Sequence, residues 1–170
     1  MKKEPFLYAA AFAMDGCIGV IGLCAPLLAV QLGATYDDLG AVGAVSSLTY
    51  TLGCLAYGRL SYRVGYRRSM ALASIAVALS VALYPCATRI AHVVALYSVT
   101  WLFISGFWPA LQAWLGGGKD RRDLLRTLGR FNISWALGLL IGPAVGGALY
   151  VDNLAWPFAV SAGLIGTLSL

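Results

Sequence analysis

Long apolar runs, broken by short polar clusters, dominate the chain. A helix needs about 20 apolar residues to cross roughly 30 Å of hydrocarbon. By that measure spans are predicted over residues 6–30, 39–57, 70–87, 92–115 and 128–151. A sixth begins near residue 155, and the sequence ends at Leu170. At 1.5 Å per residue that last stretch covers only about 24 Å. The expectation is therefore five complete transmembrane helices plus a truncated sixth, in a chain that continues in its native gene product or was cut. The polar turn Thr35-Tyr36-Asp37-Asp38 offers a Thr or Asp to cap the second helix. The first run follows Lys2-Lys3 but is too long for the apolar core of a signal peptide, so it reads as a true span.

Composition agrees. The chain is 60% apolar and 11% charged with a mean hydropathy of +0.79. A soluble domain is about 45–50% apolar and about 25% charged. The net charge of +5 does not point to nucleic acid, because the basic residues gather between spans. Lys2 and Lys3 precede the first span. Arg59, Arg63, Arg67 and Arg68 follow the second, and Lys119, Arg121, Arg122, Arg126 and Arg130 follow the fourth. Arg89 alone falls on the opposite side. Positive loops mark the cytoplasmic face, so the N-terminus is expected in the cytoplasm. Cys17, Cys24, Cys54 and Cys86 form no CxxC pair and lie within or at the end of apolar runs. They read as small buried hydrophobes, with no disulfide framework or metal site implied. Gly116-Gly117-Gly118 precedes Lys119 without the spacing of a phosphate loop. No cofactor is expected.

Two segments carry a more specific signal. The first is the connection Gly58-Arg59-Leu60-Ser61-Tyr62-Arg63-Val64-Gly65-Tyr66-Arg67-Arg68. Its glycines permit a tight turn and its arginines suit the headgroup level. The second lies in the fifth span: Gly129, then Gly138, Gly142-Pro143 and Gly146-Gly147. Gly138, Gly142 and Gly146 recur every four residues and make a groove that a neighbouring backbone can enter. Pro143 kinks the helix, which a membrane helix tolerates when neighbours satisfy the freed carbonyl. In an isolated bundle this groove is expected to face lipid and to favour self-association.

The first segment resembles the loop between helices 2 and 3 of the major facilitator superfamily. The second matches the helix-5 signature of that family's drug–proton antiporters. The resemblance covers nearly the whole chain and implies the N-terminal six-helix bundle of a major facilitator fold, without its C-terminal bundle. The family pattern places Asp where Tyr62 stands; there the Asp holds a cytoplasmic gate against the second bundle, a charge Tyr62 cannot carry. Such bundles are built from inverted three-helix repeats. Gly58-x-Leu60 and Gly147-x-Leu149 are a faint echo of one.

Asp15 is the acidic residue deep in a predicted span, roughly 15 Å along the first helix. A charge there costs about 2.5–3.5 kcal/mol on insertion scales, so such groups face a cavity or a partner. It is a candidate proton-coupling or cation-binding carboxylate, or else a hydrogen-bonded structural carboxyl. In the fourth span Trp101, Ser105, Trp108 and Gln112 are spaced 4, 3 and 4 and share one stripe. Helices 1 and 4 line the cavity in the family, where aromatic walls with one amide suit an apolar or cationic organic solute; packing or lipid-facing tryptophans are the plainer alternative. Some members carry a coupling Arg in helix 4. Residues 102–106 hold none, which leaves Asp15 alone in this half. The polar stripe Ser46, Tyr50, Gly53 and Tyr57 reads as helix packing, and Asn132 and Trp135 as the cytoplasmic opening of helix 5.

The expected function is secondary transport of a small organic solute by alternating access, as proton-coupled efflux across a bacterial inner membrane. The partners would be the bilayer, the solute, protons, and the C-terminal bundle or a second copy. Uptake of a sugar or metabolite and a non-transporting truncated membrane module are the rivals. A membrane enzyme would need paired catalytic groups at one depth, and a single buried carboxylate does not supply them.

Overall fold

A computed structural model describes residues 4–169. Lys2 and Lys3 of the charge count, and Leu170 of the sixth span, lie outside the described residues. Among those described, all regular structure is helical: α1 (Glu4–Gln31), α2 (Tyr36–Val64), α3 (Tyr66–Ala82), α4 (Ile90–Gly116), α5 (Arg121–Asp152) and α6 (Trp156–Thr167). A single 3₁₀ turn, Tyr84–Cys86, follows α3. The first five helices, counting α3 with its turn, are long and apolar enough to cross a bilayer. The protein is an all-α integral membrane bundle.

Helix ends follow local chemistry more closely than hydropathy. At the start of α2 the Thr35 hydroxyl accepts the Asp38 N–H at 3.3 Å, and the Asp38 carboxylate accepts the Thr35 N–H at 2.8 Å. This reciprocal cap satisfies two donors that a helix start leaves free. The connection expected over residues 58–68 is mostly helix. α2 continues to Val64, α3 begins at Tyr66, and Gly65 alone breaks the run, with φ +94°. Gly58 lies inside α2 and makes no turn. Arginines lower hydropathy but are good helix formers; they mark the membrane boundary, not the end of the helix. For the same reason α5 starts at Arg121 rather than 128, where the Asp120 carboxylate accepts the Asp123 N–H at 2.8 Å. α3 stops at Ala82, short of residue 87, because Pro85 has no N–H to continue it and the chain tightens into the 3₁₀ turn.

α1 packs chiefly on α5 and also on α6, while α4 packs chiefly on α2 and also on α3; α3 and α6 meet. Exchanging the first three helices for the last three maps this pattern onto itself, as two related repeats require.

The glycines explain the closest pair. Gly138, Gly142 and Gly146 are buried against α1. A Cβ on Gly138 would overlap the Phe12 carbonyl oxygen and sit 2.9 Å from the Gly16 nitrogen. One on Gly142 would overlap the Gly16 carbonyl, and one on Gly146 would lie 3.1 Å from the Val20 Cα. On the facing helix, a Cβ at Gly19 would stand 2.8 Å from the Pro143 ring. The groove is thus filled by α1 within the bundle, and the expectation that it faces lipid is wrong. Gly129 and Gly147 play no such part: nothing lies within 4 Å of a Cβ at Gly129, and Gly147 would make an ordinary 3.6 Å contact with Leu23. The counterpart α2–α4 contact uses Gly53 against Ser105, and Gly106 against the Tyr57 ring.

At one end of the bundle the Lys119 ammonium pairs with Glu4 at 2.7 Å and donates to the Thr127 hydroxyl at 2.8 Å. This joins the start of α1 to the α4–α5 connection.

Candidate functional site

A shallow, open cleft of about 350 Å³ lies where α1, α2, α4 and α5 converge. α1 contributes Asp15, α2 Tyr50, and α4 Trp108 and Gln112; Phe131, Asn132 and Trp135 come from α5. Asp15 is 7% exposed, and its Oδ2 has no hydrogen-bond partner among the described residues. The aromatic walls hold each other in place. Trp108 meets Phe131 edge-on at 6.0 Å and Phe107 at 5.3 Å. The Trp135 indole N–H donates to the Asn132 side-chain oxygen at 3.1 Å. A buried carboxylate with an unpartnered oxygen thus shares the cleft with four aromatic rings, a residue type that attracts cations, and two side-chain amides.

A second cleft of about 280 Å³ adjoins the first across Tyr50, which lines both. Ser46, Ser47, Thr51, Tyr97 and Trp101 contribute to it. Trp101 stands edge-on to Tyr50 at 5.6 Å and to Tyr97 at 6.0 Å. Together the clefts form a continuous polar and aromatic strip beside the carboxylate.

The stripe read on helix 4 divides accordingly. Trp108 and Gln112 join Asp15, whereas Trp101 lines the neighbouring cleft. Ser105 reaches neither; it is fully buried against Gly53 and donates to the Leu102 carbonyl, a packing role. Tyr50 was read as packing and Asn132 and Trp135 as a helix opening, and Phe131 was not singled out. Their shared face on α5, at positions i, i+1 and i+4, was the available signal. Of the basic segment, Arg59, Tyr62, Arg63, Arg67 and Arg68 are exposed, away from both clefts.

Over residues 7–170 the sequence matches the family described as the Major Facilitator Superfamily. The chain belongs to that superfamily. None of the curated proteins matches it. As a Major Facilitator Superfamily member it is a membrane transporter acting on a small molecule, and its helices sit in the bilayer. Transport needs a polar path through apolar surroundings, and the two clefts around Tyr50 offer polar groups, the first of them lined by the buried Asp15.

Proposed function

We propose that the chain is the N-terminal half of a secondary transporter of the drug–proton antiporter type, exporting a small amphipathic or cationic organic solute by alternating access. The observation that carries this reading is the buried Asp15 carboxylate, which has an unpartnered oxygen and lines an aromatic cleft. A carboxylate in such surroundings must be neutralised, by a proton or by a bound cation. One carboxylate cannot hold both, so loading one releases the other, and the two flows are coupled. Trp108, Trp135, Phe131 and Tyr50 would stack on the solute, with Gln112 and Asn132 setting its orientation. Trp101 would line the neighbouring stretch of the path.

In this reading the N-terminus is cytoplasmic and the protein sits in a bacterial inner membrane. The arginine-rich α2–α3 corner forms part of the cytoplasmic gate, without the carboxylate that Tyr62 replaces. A second bundle, from a C-terminal half or a second copy, covers the open side of the cleft. Leu48, Leu52 and Leu55 of α2 and Leu137, Leu140 and Ile141 of α5 are exposed and available to it.

The test is counterflow in proteoliposomes, using tetraphenylphosphonium as the cationic probe under an imposed pH gradient. Asp15→Asn should abolish proton-driven exchange, a loss of tenfold or more on the order of one missing charge partner. Undiminished proton-driven exchange in Asp15→Asn would remove Asp15 from the mechanism.

A further inference from the structure

A third cavity, of about 190 Å³, lies on the outer corner between α2 and α3, away from the carboxylate. Leu60 and Val64 of α2 face Leu72 and Ala76 of α3, Ser69 stands at the corner end, and Phe103 of α4 contributes to the lining. The helices diverge from Gly65 and touch little, so the groove between them stays open. Its walls are almost wholly apolar.

The corner that borders it is cationic. Two exposed arginines share a helix face with lining residues: Arg63 stands three residues after Leu60, and Arg68 four residues before Leu72. Between residues 39 and 119 the chain has no Asp or Glu to balance them. Tyr62, 81% exposed at the same level, is a side chain suited to the headgroup zone. The first turn of α3 carries Arg68 and contains no acid. Positive charge at the positive end of a helix is unfavourable unless an anion offsets it.

We propose that this corner binds an anionic phospholipid, with an acyl segment in the α2–α3 groove and the phosphate held by Arg63 and Arg68. Guanidinium forks match phosphate oxygens two at a time. The apolar walls directly beside the charges select a lipid over a free phosphate. A second copy docking through the same corner would set arginine against arginine, which charge complementarity disfavours. The site is independent of the transported solute.

The test is native mass spectrometry of the full chain, delipidated in detergent and titrated with phosphatidylglycerol, with phosphatidylcholine of the same chains, and with glycerol phosphate. Phosphatidylglycerol should bind about tenfold more tightly than phosphatidylcholine, and glycerol phosphate should not compete. Each arginine near an anionic lipid is worth about fivefold in affinity. The exposed double variant R63Q/R68Q should therefore lose about 25-fold, while R121Q/R122Q, on the other basic segment, loses none. Ala76→Phe, which fills the groove, should weaken binding of both lipids. Equal affinity for the two lipids, equal losses in the two arginine pairs, tight binding of glycerol phosphate alone, or a dimer that persists in place of bound lipid would each overturn the proposal.

Discussion

Replacing Gly142 with Ala should loosen the bundle, and the size of the effect follows from the α1–α5 contact. The added Cβ would overlap the Gly16 carbonyl oxygen and come within 3.0 Å of its carbon and 3.2 Å of its Cα. These are backbone atoms in the middle of a helix and cannot swing aside. The helices must part by about 1 Å, which forfeits a quarter to a half of each dispersion contact along the seam. In lipid that packing is the main force between helices, since burial from water contributes nothing. Overpacking of this kind costs about 1–3 kcal/mol. Ala is a better helix former than Gly by roughly 0.5–1 kcal/mol, which offsets part of it. A net loss of about 1 kcal/mol is expected, or about 2–4 °C in Tm on the scale of similar-sized domains. Gly129→Ala is the internal control: it belongs to the same motif, nothing lies within 4 Å of its Cβ, and it should be neutral or slightly stabilising. The assay is thermal unfolding in detergent followed by tryptophan fluorescence. The double change at Gly138 and Gly142 should cost less than the sum, because the first has already opened the seam. Equal stability of the Gly142→Ala and Gly129→Ala variants would refute the close backbone contact.

Further outcomes follow. Gly53→Ala should weaken the α2–α4 contact, because its Cβ would overlap the Ser105 hydroxyl; Ser105→Ala in the same chain should recover part of the loss, read by the same melt. Cys86 is exposed, against the expectation that all four cysteines are buried, because it ends the 3₁₀ turn outside α3. Cys54 is half-buried and Cys17 and Cys24 are buried, so a membrane-impermeant maleimide should label intact cells at Cys86, and Cys86→Ser should remove the label. Labelling only after the cells are opened would reverse the proposed orientation. Trp108→Ala should weaken binding of tetraphenylphosphonium about 5- to 30-fold, the range for a desolvated cation–π contact, as measured by quenching of the remaining tryptophans.

The spans were legible because twenty apolar residues in a row have few uses other than crossing a bilayer. The purpose of the helix-5 glycines was legible too, since spacing defines a face. Their partner was not, because a face does not name what meets it; Gly16 and Gly19 of α1 carry the other half of the contact. The α2–α3 corner was misread because hydropathy falls at the arginines, the first of which, Arg59, stands five residues before the helix ends at Val64. At the site, Asp15 stood out by its cost in the membrane. Trp108 and Gln112 were found with it, but the stripe that held them runs about 16 Å along α4, far enough to pass from one cleft to the next and to put Ser105 against Gly53 between them. Tyr50, Phe131, Asn132 and Trp135 reach the cleft from helices whose polar positions look, in sequence, like ordinary packing or interface residues.

The claim that Asp15 exchanges a proton for a solute cation can be met directly by measuring proton release on binding. The full chain in weakly buffered detergent is mixed with tetraphenylphosphonium while a pH dye is followed, beside the same titration of Asp15→Asn. Release of about one proton per bound cation, abolished in the variant, is the expected result. Binding without proton release, or release that persists in Asp15→Asn, would contradict it.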